Sequence, residues 1–176
     1  MTEDPQSMAE NHAVEKAPYS WDLKVATEAD VEPALEQLTD HLNDQQRQAF
    51  SDKLKRYVQK PDRDLILAVR GLQVLGLVCV INQTEFPTDF SEKNMDYLRD
   101  FASGTQLIVH PSCRRQGIGG SLLAHAEAWA HERGLTGFWI VTHRMVDWYE
   151  RNFGYQQIAR IEVKKVAKTV MAKKFS

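Results

Sequence analysis

The chain has 176 residues, 43% hydrophobic and 26% charged, with a formal net charge of -2. That is enough apolar material for one well-cored globular domain, and the near-neutral charge excludes the overall basic field of a nucleic-acid or membrane-surface binder. Its two cysteines, Cys79 and Cys113, are far apart and suggest neither a disulfide framework nor a metal knuckle. No apolar run approaches the roughly 20 residues of a membrane span, and the first residues lack the basic and apolar parts of a signal peptide, so cytoplasm is the expected location.

Residues 1–20 are polar, mildly acidic and without period, and are expected to form an unstructured leader ahead of a single domain over 21–176. Leu23 and Val25 predict a short strand. Thr27 with Asp30 three residues on is an N-cap signal, and Val31, Leu35, Leu38 and Leu42 recur at helical spacing. A second helix is predicted from Asp44 to Val58, with Phe50, Leu54 and Tyr57 inward, stopping before Pro61. Leu65–Val69 and Val74–Ile81 are β-rich runs joined by Arg70-Gly71-Leu72-Gln73, which reads as a hairpin. Their nearly unbroken apolar character places them in a sheet covered on both faces.

Met95, Leu98 and Phe101 fit one side of a short helix, and Leu107–Val109 a short strand ending at Pro111. A helix follows from Gly117 to Arg133, terminated by Gly134. Phe138–Val141 is a further strand, Val146–Phe153 a short helix, and Gln157–Val163 with Lys168–Phe175 an antiparallel pair. The order predicts a mixed α/β fold, a largely antiparallel sheet flanked by helices.

One segment carries chemistry: His110-Pro111-Ser112-Cys113-Arg114-Arg115-Gln116-Gly117-Ile118-Gly119-Gly120, between strand and helix. A helix N-terminus presents unpaired backbone N–H groups and partial positive charge, glycines admit a phosphate close to the backbone, and two arginines add fixed cations. It lacks the Gly-Lys-Ser/Thr ending of a P-loop, and no Gly-x-Gly precedes Gly117 at the spacing of a dinucleotide fingerprint.

Arg114-x-x-Gly117-x-Gly119 directly after Val109-His110-Pro111 resembles the acetyl-CoA signature of the GNAT acetyltransferase superfamily. A second stretch resembling that family, Trp148-Tyr149-Glu150-Arg151-Asn152-Phe153-Gly154-Tyr155, follows about 30 residues downstream, and the element order from Leu23 onward matches as well. The resemblance implies a GNAT-like acyl-CoA N-acyltransferase fold and an acetyl-CoA-dependent N-acetyltransferase without metal. An acceptor amine would attack the bound thioester directly. It further implies that Leu107, Ile108 and Val109 pair with the pantetheine arm. Arg114, Arg115, Gln116, Gly117, Ile118, Gly119, Gly120 and Ser121 would surround the pyrophosphate, with His143 and Asn152 as further cofactor contacts. Tyr149 is the implied acid that protonates the departing thiolate. The family glycine stands four residues after that tyrosine and Gly154 stands five after Tyr149, so anchoring on Gly154 selects Glu150 instead. By the same analogy the C-terminal strands are a dimerisation surface.

The strand before the loop, Gly104-Thr105-Gln106-Leu107, offers no carboxylate as general base, which leaves Asp100, Glu85 or a residue of the first helices. A lysine-type amine is neutral in only about one molecule in 2,500 at pH 7, and an α-amine in roughly a tenth to a sixth. The missing carboxylate therefore leans toward a weakly basic acceptor. It also motivates a rival reading, a non-catalytic acyl-CoA-binding or regulatory domain, while a larger acyl donor is a third. His12, His41, His125 and His131 stand apart from any cysteine or carboxylate cluster that would suggest a metal.

Overall fold

The computed structural model describes residues 20–82, 86 and 90–176. Most of the expected leader and Glu85 lie outside the described residues. The first strand, β1 (Asp22–Val25), leads through a 3-10 turn in which the Asp30 carboxylate accepts the Thr27 amide at 2.8 Å. The next element, α1 (Val31–Leu38), buries Val31, Leu35 and Leu38. Leu42, expected on the same face, lies past the helix end. The Thr39 hydroxyl instead donates to the Leu35 carbonyl at 2.6 Å, and the Leu42 amide closes a turn on the Thr39 carbonyl. In α2 (Asp44–Gln59) the Asn43 side chain accepts from the Gln46 amide at 2.9 Å while Gln46 accepts from the Asn43 amide at 3.1 Å, a reciprocal N-terminal cap.

The hairpin forms as expected from β2 (Arg63–Arg70) and β3 (Gln73–Ile81). Then come α3 (Glu92–Leu98) and β4 (Phe101–Val109). Here the sequence reading is corrected. Phe101 opens a nine-residue strand and does not continue the helix, because its backbone pairs with Gly137 and its ring joins Leu98, Trp139 and Val170 in the core. The helix α4 (Ile118–Glu132), β5 (Gly137–Thr142), α5 (Val146–Phe153), β6 (Gln156–Val163) and β7 (Val166–Lys174) complete the chain.

Among the described residues the sheet has seven strands in the order β1-β2-β3-β4-β5-β7-β6, and only the β4–β5 pair is parallel. Its two faces are covered separately. Leu35 and Leu54 from α1 and α2 pack on Leu65, Leu67 and Leu77, while Leu122, Leu123 and Ala126 of α4 pack on Ile66, Val78 and Val80 from the other side. This accounts for the unbroken apolar runs of β2 and β3, and each fully buried leucine is worth about 2 kcal/mol.

Polar clamps fix α4 against the sheet. Near its C-terminus the Asp64 carboxylate accepts from Trp129 Nε1 at 2.5 Å and from Arg133 at 3.0 Å, with the guanidinium over the indole ring. One turn earlier, Glu127 accepts from the Tyr155 hydroxyl at 2.9 Å and from Lys173 at 2.6 Å. The helix that carries the glycine loop is thus held to β2 and β7, which aims its N-terminus. Among the described residues no helix is long and apolar enough to cross a membrane.

Candidate functional site

Two features of β4 open a gap in the sheet. Pairing with β5 runs from Phe101↔Gly137 to Gly104↔Ile140 and stops, so the β5-facing backbone groups from Thr105 to Val109 have no strand to pair with. On the opposite edge Cys79 faces Thr105 and Leu77 faces Ile108, which sets two β4 residues against Val78. The extra residue is a β-bulge, with Gln106 at φ +55°. A bulge bends its strand, and β4 leaves β5 at this point.

The fork has a definite crotch. A Cβ on Gly104 would fall 2.5 Å from the Phe138 ring, and one on Gly137 would fall 2.4 Å from the Phe101 ring. Glycine leaves room for each aromatic ring against the neighbouring strand, below the point where the strands separate.

The glycine loop lies at the open end of β4. Pro111–Cys113 form a 3-10 turn, Arg115 has φ +62°, and Gly117 has φ +86° as the residue before α4. The Ile118 side chain is buried and anchors the first helical turn. The Ser121 amide is the first to find an intrahelical acceptor, the Gly117 carbonyl at 3.0 Å. The amides of Ile118, Gly119 and Gly120 stand ahead of that bond with no helical partner, beside Arg114 and Arg115. Ser121 therefore has only its hydroxyl to offer. The Gln116 amide side chain donates to the Ser112 carbonyl at 3.4 Å and lies outside the cavity wall.

Two cavities meet in the fork. The larger, about 680 Å³, runs from Arg114, Arg115 and Gly117–Gly120 along Leu107–Val109 to Trp148 and Tyr149. The smaller, about 290 Å³, fills the wedge between Thr105–Ile108 and Ile140–Thr142. Both are walled by Leu107, Ile108, Met145 and Tyr149, so one groove connects the helix N-terminus with the fork.

Tyr149 stands where the cavities join. It is 6% exposed, and burial pushes its phenol up to about 12, so it stays protonated across the neutral range. Its neighbours are the rings of Trp148 and Tyr155. The extra residue before Gly154 is absorbed in the helix terminus. Gly154 takes φ +71° and donates to the Glu150 carbonyl, while the Tyr155 amide reaches back to the Tyr149 carbonyl. Glu150 faces elsewhere and accepts from Gln157 at 2.8 Å. His143 is exposed beyond β5, and Asn152 donates to the Trp148 carbonyl at 2.9 Å on an exposed face; neither lines a cavity.

Asp100, a candidate base, precedes β4 at its closed end. It lines neither cavity, and the nearest groove residue, Gly104, is four residues on, about 13 Å at ~3.3 Å per residue, too far for direct proton transfer there. At the fork itself Thr105 is held by the Tyr57 hydroxyl at 3.1 Å, and burial raises the Tyr57 phenol. Burial also pushes the Cys79 thiol up to about 12 and depresses the Lys53 ammonium. Cys113 is buried in the core below the loop. Sequence reasoning missed His41, which reaches the larger cavity from the turn between α1 and α2. It shares the cavity with β4 residues more than 60 positions on, and no local pattern encodes that. Among the described residues no group of three His, Cys, Asp or Glu side chains could hold a metal ion.

The family model described as "Acetyltransferase (GNAT) family" matches residues 32–155. Among solved structures, PaiA N-acetyltransferase from Thermoplasma acidophilum in complex with coenzyme A is 15% identical, with TM-score 0.63, covering 89% of this chain and 99% of that one. Ribosomal-protein-alanine N-acetyltransferase from Brucella melitensis is 18% identical, with TM-score 0.61 and coverage of 88% and 99%. FeeM, an N-acyl amino acid synthase from uncultured soil microbes, is 15% identical, with TM-score 0.65 and coverage of 87% and 90%. At these identities the likeness is one of fold. No curated protein matches the chain.

Proposed function

The chain belongs to the acetyltransferase (GNAT) family, and from that premise we propose that it transfers an acetyl group from acetyl-CoA to a primary amine by direct attack on the thioester. The observation that carries this reading is the groove joining the free amides of α4 to the fork beside Tyr149. Its lining offers groups suited to the parts of coenzyme A in order. Arg114, Arg115 and the amides of Ile118–Gly120 suit a pyrophosphate. The unpaired edge of Leu107–Val109 suits the amides of a pantetheine arm, and the protonated phenol of Tyr149 suits a departing thiolate. Backbone N–H groups near the bulge are the candidates for stabilising the tetrahedral oxyanion. A neighbour of the same fold was solved with coenzyme A, which supports the choice of cosubstrate. In this reading Tyr149 is the acid and Glu150, turned toward Gln157, is not.

The test is release of free thiol from acetyl-CoA across amines of different basicity, among them α-amino peptides, polyamines and aminoglycosides. Transfer to at least one class is expected. Tight binding of coenzyme A with no transfer to any of them would replace this reading with that of a binding domain. A panel of longer acyl-CoA donors separates acetyl from larger acyl transfer.

A further inference from the structure

Resting on the amine-acetylation reading, we propose that His41 is the proton acceptor that neutralises the incoming amine, the role that β4 leaves without a carboxylate. Five titratable side chains line the two cavities: His41, Cys113, Arg114, Arg115 and Tyr149. The guanidiniums hold their protons under all relevant conditions. The Tyr149 phenol is pushed up to about 12 and begins the reaction protonated. Cys113 is packed in the core as a thiol, a weak acceptor. An imidazole is the one side chain of this set that ordinarily takes up and releases a proton near neutral pH.

The local structure holds His41 out toward the groove. The Thr39 hydroxyl and amide both bond the Leu35 carbonyl, and the Leu42 amide bonds the Thr39 carbonyl at 3.0 Å. Arg47 also donates to that carbonyl, at 3.3 Å, and Asn43 is locked in the cap of α2. Residues on either side of His41 are thus pinned, and His41 itself stands in the turn on the wall of the larger cavity. Its Nδ1 is 3.5 Å from Asp40 Oδ1, which leaves Nε2 for a substrate. Both side chains are largely exposed, so the imidazole meets solvent at the edge of the cavity. The charged and titratable groups that share its turn or its cavity are Asp40, Arg47 from α2, Cys113, Arg114 and Arg115 from the segment before α4, and Tyr149 from α5.

The sequence of bonds closes without another reactant. The acceptor arrives as an ammonium and gives one proton to His41 Nε2, and its freed lone pair forms the C–N bond at the thioester carbonyl. Collapse of the tetrahedral adduct restores C=O and breaks C–S, and the thiolate takes the Tyr149 proton. The tyrosinate recovers a proton from the nitrogen of the new amide, and the imidazolium releases its own to solvent.

The experiment compares wild type, His41→Gln and His41→Ala in steady-state acetyl transfer to glycinamide, spermidine, an alanine-terminated peptide and kanamycin. Coenzyme A affinity is measured by calorimetry on the same proteins. His41→Gln is expected to lower kcat by about 100-fold and to erase the acidic limb of the pH–rate profile. Coenzyme A affinity should stay unchanged, and added imidazole should restore part of the activity of His41→Ala. Wild-type kcat and pH profile in His41→Gln, or a loss confined to coenzyme A affinity, would overturn the assignment in an active enzyme. A wild-type protein that binds coenzyme A and acetylates none of the four would instead remove the amine-acetylation reading, and His41's role with it.

Discussion

The two halves of β4 behave as opposites. From Phe101 to Gly104 the strand is zipped to β5, and two glycines accept aromatic rings from across the gap. From Thr105 to Val109 it carries a bulge, leaves β5 and walls two cavities. Nine residues thus supply both the rigid hinge of a fork and one of its prongs. The opening is built as firmly as the closure: Tyr57 ties Thr105 to α2, and α4 is clamped to β2 and β7. Preorganised backbone groups of this kind need no rearrangement when a ligand arrives.

The closed half is the place to break the fork. Gly104→Val drives a branched side chain into the Phe138 ring and should destabilise the fold by about 3 kcal/mol, read from chemical denaturation. A loss below about 1 kcal/mol would mean that the aromatic contact does not set the crotch. Tyr149→Phe acts only in the open half and should leave stability nearly intact while lowering kcat about 100-fold, equivalent to about 2.7 kcal/mol of barrier. Unchanged turnover would remove Tyr149 from the proton path.

A pH titration of stability sharpens the contrast between buried groups and exposed ones. Tyr149 has its folded pKa raised to about 12, so above the ordinary phenol value the unfolded chain loses its proton first. Stability should therefore fall as pH climbs from about 10 toward 12, by on the order of 2 kcal/mol from this residue. Cys79, raised to about 12 as well, adds to the same loss from its lower starting point. The Tyr149→Phe protein should show a shallower decline, and equal slopes would contradict the burial argument. The smallest effect is expected from Tyr57→Phe. It removes one hydrogen bond to Thr105 and should cost about 1 kcal/mol, with faster amide exchange confined to Thr105 and the bulge.

Much of this architecture was legible in the residues. The runs over β2 and β3 announced a doubly covered sheet, and the glycines from Gly117 to Gly120 announced the passage from strand to helix. The expected start of the third central strand was wrong for a physical reason. Phe101-Ala102-Ser103-Gly104 has few β-branched or polar-alternating residues, and Phe101 continues the helical spacing of Met95 and Leu98. What makes it a strand is pairing with Gly137–Ile140, more than 30 residues away. The same holds for His41, which shares its cavity with residues of β4 and α4, whereas Leu42 was misplaced locally, where the chain turns on the Thr39 carbonyl after α1. Local pattern specifies faces and ends. It does not specify which distant edge a residue will meet.

The prong between Thr105 and Val109 has a consequence for what the protein attracts. A bare strand edge is sticky toward any extended peptide, and sheets usually hide such edges or arm them with charge. This one is hidden in the middle of a sheet, with β5 and Tyr149 across the gap and α4 standing over its mouth. A foreign β-strand would have to thread its side chains into a wedge that narrows to the Phe138 ring on Gly104. A slender, side-chain-free thread of amides meets no such obstacle. Under the proposed function the fork would sort its visitors by girth, and the edge that would make another sheet prone to clumping would be a berth for a guest of one shape.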